Sequence, residues 1–126
     1  MFAYKVTAKE YLKNHDISKL SLEQINNMCR LLLAVNQVRQ LYKVPMRVSS
    51  GWRPPEYNKK VNGAANSPHI SCEAIDIFDP KQDFKHWILQ NIKIMEDLGL
   101  WIENFDQTPS WVHLDIRPRA TRIFNK

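Results

Sequence analysis

Apolar residues recur at three- and four-residue steps through 22–42, where Leu22, Ile25, Met28, Leu32, Val35 and Val38 fall on one face of a helix. Ser21 with Gln24 three residues on supplies a capping box at its start. The pattern predicts a long helix that lays one face on a sheet. The period then changes. "VPMRVSSGWR" (44–53) predicts a strand stopped by Gly51 and the Pro54-Pro55 pair. "PEYNKKV" (55–61) fits a short helix with Pro55 in its first turn, and "NGAANSP" (62–68) has the composition of a loop. "CEAIDIFD" (72–79) predicts a second strand, closed by Pro80. A second amphipathic helix is expected over 83–99, with Gly99 as its stop. "LWIENF" (100–105) and "WVHLDIR" (111–117) predict two strands, joined into a hairpin by "DQTPS". The sum is an α+β fold: a small, mainly antiparallel sheet flanked by helices.

Composition narrows the class. The chain has 126 residues, which suits one domain over 1–126. Its 44% hydrophobic and 25% charged residues lie in the globular range. A net charge of +5 suggests an anionic partner, either nucleic acid or an anionic bacterial wall, or else serves only solubility. The cations are scattered, with Lys59-Lys60 the one adjacent pair, and no nucleic-acid motif accompanies them, so no nucleic-acid partner is expected. Cys29 and Cys72 are expected to be reduced and buried. The N-terminal stretch lacks the apolar core of a signal peptide. No apolar run reaches the roughly 18 residues a membrane span needs. The expectation is a product made in the cytoplasm without a signal peptide, so that action elsewhere requires release by another agent.

The strand pattern also sorts the polar residues. Side chains alternate across a strand, so Cys72, Ala74 and Asp76 share one face, with Ile75, Ile77 and Asp79 opposite. In the last strand Trp111, His113 and Asp115 share a face, while Val112, Leu114 and Ile116 form a core-facing row. His69 precedes the second strand in a loop able to turn back over Asp76. Two imidazoles and a carboxylate suit catalytic zinc, which commonly takes three protein ligands and a water. Spacing alone leaves a metal site and three unrelated polar residues both open.

"SPHISCEAIDI" (67–77) resembles the S-x-H-x-x-G-x-A-x-D motif of the zinc D-alanyl-D-alanine carboxypeptidase family. That family includes L-alanyl-D-glutamate endopeptidases among phage endolysins, and its fold is related to the Hedgehog signalling domain. "SSGWRPPEYNKKVNGAANS" (49–67) is similar to the family's S-G-[YW]-R stretch, and "WVHLDIR" to its W-x-H strand. The resemblance implies that His69, Asp76 and His113 bind zinc, with Ser67 supporting the site. It implies that Arg53 faces the substrate carboxylate or the developing oxyanion, a role suited to a fixed forked cation. The alternative for Arg53 is a surface pair with Glu56.

Two positions depart from the motif. Cys72 stands where the family has glycine, either filling the same space or adding a fourth ligand that would close the site. Ser110 stands where many members carry the acid that serves as general base, and a hydroxyl cannot replace a carboxylate in that role. Glu103 is the expected substitute, with Asp115 next and Asp106 also near. Asp115 has the alternative of orienting a ligand imidazole. Trp52 and Trp111 are expected to flank the site, and Trp87 and Trp101 to face the core. The implied function is a zinc peptidase cutting peptidoglycan stem or cross-link peptides, as in an endolysin released by a holin or carried by a virion. The competing expectation is a non-catalytic zinc-containing or wall-binding domain of the same fold.

Overall fold

The structure, a computed structural model, describes residues 5–126; the first four residues of the N-terminal stretch lie outside it. A short helix α1 (Ala8–Leu12) opens on a capping box between Thr7 and Glu10. Helix α2 (Leu22–Tyr42) follows, capped by Ser21 and Gln24 as the sequence predicts. Strand β1 (Val48–Ser50), helix α3 (Pro55–Lys60) and strand β2 (Ala74–Phe78) come next. Helices α4 (Asp83–Gln90) and α5 (Ile92–Asp97) precede strands β3 (Trp101–Glu103), β4 (Trp111–Asp115) and β5 (Ile123–Phe124). The five strands form one sheet in the order β1-β2-β4-β3-β5. Every pairing is antiparallel except β3 with β5. The α+β expectation holds, and among the described residues no helix is long and apolar enough to cross a membrane.

The apolar row Val112, Leu114 and Ile116 is buried as expected, together with Ile75 and Ile77 of β2. Leu31, Val35 and Val38 of α2 join them in one cluster, so the long helix does lie on the sheet. Its ends differ from the pattern: Leu22 is exposed in the first turn. Cys29, expected inside, is also exposed, because the buried stripe runs through Met28, Leu31 and Leu32 and leaves position 29 outward.

The helix expected over 83–99 is two helices. At Asn91 the backbone leaves the helical region (φ −131°, ψ 32°). Its side-chain amide donates to the Trp87 carbonyl at 2.8 Å, the acceptor its own backbone N–H would use in a continuous helix. That N–H turns instead to Ile88 O at 3.0 Å. Asp79 starts α4 by accepting from the backbone of Phe84 (3.1 Å) and Lys85 (3.0 Å). The hairpin is present, with Trp101 opposite Asp115 and Ile102 opposite Leu114.

Candidate metal centre

Asp76 and His113 are directly opposed across β2 and β4. Residues so paired project from the same face of a sheet, and His113 Nδ1 lies 2.9 Å from Asp76 Oδ1. His69 arrives from the turn before β2. Its Nδ1 bonds the Gly51 carbonyl at 2.8 Å, which leaves Nε2 aimed at Asp76 Oδ1, 3.3 Å away. Three backbone features hold that turn. The Ser67 hydroxyl accepts from His69 N at 3.1 Å, and Arg53 N donates to His69 O at 3.2 Å. Gly51 passes so close to α1 that a Cβ there would meet Tyr11 O at 1.9 Å. The glycine is therefore required for its carbonyl to reach His69.

His69, Asp76 and His113 are all buried, and their ligand atoms lie within 4.8 Å of one another. This group fits zinc on its donor chemistry: two imidazole nitrogens and one carboxylate oxygen, with a cavity for a fourth position. Each imidazole has its other nitrogen fixed by an oxygen acceptor, Gly51 O for His69 and Asp115 Oδ2 for His113 at 2.9 Å. Such outer partners set which nitrogen faces a metal. Cys72 is not in the group. It has φ 63°, a left-handed conformation that explains the glycine of the resembled motif. Burial pushes its thiol pKa up to about 12, against a lowering contact with Tyr11.

Charges are strongly coupled here. Burial alone would raise the Asp76 pKa, but the His69 charge and the hydrogen bonds from His113 and His69 outweigh it and hold the carboxyl well below its usual range. Burial alone would lower the His113 pKa. Its hydrogen bonds to Asp115 and Asp76 instead raise it from 6.5 to about 9. The two carboxylates flanking the His113 ring thus favour its charged form.

The three residues open onto a cavity of about 320 Å³. Glu103 lines it, with Oε1 4.0 Å from His113 Nδ1, and burial raises its pKa against the lowering effect of His113. Arg53 lines it too, donating from Nε to Ser50 Oγ at 3.0 Å and placing Nη2 3.4 Å from Asp76 Oδ2. It turns to Asp76, not to Glu56. Trp111 and Ser67 are also in the wall. Asp115 is not. It is completely buried behind His113, bonded to Nε2 on the side away from His69 and Asp76. Asp106 and Ser110 are exposed outside the cavity.

Trp52 departs from expectation: it is buried away from the cavity, with Nε1 donating to Ile70 O at 3.1 Å and its ring edge-on to His15. Past the end of β1 its backbone N–H donates to Tyr11 O at 3.1 Å, which ties it to the α1 side, while Arg53 N donates to His69 O. Trp87 packs against the core, whereas Trp101 is half-buried under the Arg122 guanidinium. Sequence reasoning missed Arg117, Arg119 and Phe124, which line the cavity from the segment after β4. The two arginines carry a signal only in retrospect, as cations closely following the last histidine.

A buried His–Asp–His group beside a carboxylate and an arginine has the donor set that a metallohydrolase centre needs. Residues 5–115 match the Peptidase M15 family, and the chain belongs to it. Members of that family are zinc-dependent peptidases. No curated protein matches the chain.

Proposed function

We propose that this chain is one domain over 1–126 that hydrolyses peptidoglycan stem or cross-link peptides with zinc held by His69, Asp76 and His113. The observation that carries the reading is the convergence of those three side chains with Glu103 on one cavity. Zinc bound there supplies Lewis-acid polarisation of the scissile carbonyl and a water acidified toward neutrality. Glu103 takes the proton of the attacking water and delivers it to the leaving amine. Its raised pKa suits a group that must both accept and donate near neutral pH. Arg53 steadies the substrate carboxylate or the oxyanion, and its tie to Ser50 keeps the guanidinium fixed. Asp115 orients the His113 ring, Ser67 holds the His69 turn, and Trp111 lines the groove.

The peptidoglycan substrate, and action on the wall after holin-type release or from a virion, rest on the endolysin resemblance and on the net charge of +5. Digestion of purified peptidoglycan followed by mass spectrometry of the released peptides tests the reading. New amino termini at a stem or cross-link bond, absent with Glu103→Gln, are expected. Zinc uptake without any cleavage would favour the non-catalytic domain, for which Ser110 in place of the acid is the supporting observation.

A further inference from the structure

Asp115 is a completely buried carboxylate whose two hydrogen-bonding partners meet at a single oxygen. His113 Nε2 lies 2.9 Å from Oδ2, and Arg119 Nη2 lies 2.8 Å from the same atom. The other oxygen, Oδ1, is buried without a partner. A carboxylate removed from water is costly to keep ionised unless a countercharge and hydrogen bonds compensate it. Arg119 is that permanent countercharge, since a guanidinium does not titrate in the working range. Arg119 is itself fixed, with its guanidinium carbon 4.0 Å from the centre of the Phe124 ring. Phe124 is buried, paired through β5 to Glu103 of β3, and edge-on to the His113 ring at 6.0 Å.

We infer that Arg119 is a positioning residue for the metal centre, acting through Asp115 to pin the His113 ring so that Nδ1 is the atom offered to the metal. Arg119 lies beyond residues 5–115, so the family match does not include it. The inference rests on the reading of His113 as a ligand. Without Arg119, Asp115 is a buried charge held by His113 alone. Its carboxylate is then free to rotate or to shift toward solvent. Either loosens the acceptor that fixes the imidazole, and loss of such an outer partner commonly lowers metal affinity about 10- to 100-fold.

The test is a cycle of Arg119→Met, Asp115→Asn and the double variant, with zinc affinity read by competition against a chromophoric chelator. Thermal unfolding verifies that each variant folds. Arg119→Met is expected to weaken zinc binding at least tenfold when Asp115 is present and less than about threefold in the Asp115→Asn background. Unchanged affinity in Arg119→Met, or an equal loss in both backgrounds, would overturn the inference. Should the wild-type protein take up no zinc, the ligand reading itself has failed. The link is then read without metal, from the His113 Nε2–H signal in a histidine-selective proton–nitrogen spectrum. Slowed exchange in the wild type that disappears in Arg119→Met sustains it, and a signal that survives the substitution removes it.

Discussion

Asp76 Oδ1 stands between two imidazoles, 2.9 Å from His113 Nδ1 and 3.3 Å from His69 Nε2. That oxygen faces both rings from the middle of the site. A cation entering there displaces the proton of His113.

On the proposed ligand set, the raised His113 pKa governs the pH dependence of metal binding. The ring must lose its Nδ1 proton to bind, and in the folded protein that proton leaves near pH 9. Below that value each pH unit is expected to cost about tenfold in zinc affinity, and binding near pH 7 should release about one proton. The zinc-free fold behaves oppositely. Stabilisation by the imidazolium is fully present below pH 6.5 and is lost as the pH rises through about 9. Calorimetry in buffers of different ionisation enthalpy checks the proton count, and a zinc affinity that is flat between pH 6 and 8 would contradict it.

Glu103→Gln should bind zinc and unfold as the wild type does while losing about 100- to 10,000-fold in kcat. The acid limb of the wild-type pH–rate profile should lie above the ordinary glutamate value, because burial raises the Glu103 pKa and the proposed base acts in its ionised form. Asp115→Asn should differ from it by weakening zinc binding first. Comparable metal affinity in Asp115→Asn and Glu103→Gln, with greater loss of turnover in the former, would exchange their assigned roles.

Thiol labelling separates the two cysteines. Cys29 is exposed on α2, whereas Cys72 is buried with its thiol pKa raised to about 12. At pH 8 a maleimide or disulfide reagent should modify one thiol per native chain and two after denaturation. Cys72→Gly relieves the left-handed backbone at φ 63° but gives up a buried side chain. The two effects oppose each other, each worth about 1–2 kcal/mol, so a small net change in stability is expected by denaturant titration. A loss beyond about 3 kcal/mol would mean that packing of the thiol dominates.

Local rules carried much of this molecule. The capping box and apolar steps marked α2, and alternation placed Asp76 and His113 on one face, while Val112 and Leu114 took the other. What escaped depends on contacts remote in sequence or on one side chain's choice. The break at Asn91 turns on which amide reaches the Trp87 carbonyl. Strand β5 has two residues and exists through its parallel pairing with β3. Arg119 joins the site only because the chain folds back after β4 to set it on Asp115. Trp52 shows the converse error: adjacency to Arg53 in sequence put it beside the site, and its hydrogen bonds to Tyr11 O and Ile70 O hold it away.

Zinc content per chain, measured for the wild type and for His113→Ala after purification and reconstitution, tests the central claim most directly. About one zinc in the wild type, lost in the variant together with peptidoglycan hydrolysis, is the predicted result. Equal zinc content in both proteins, or none in either, would contradict a centre built from His69, Asp76 and His113.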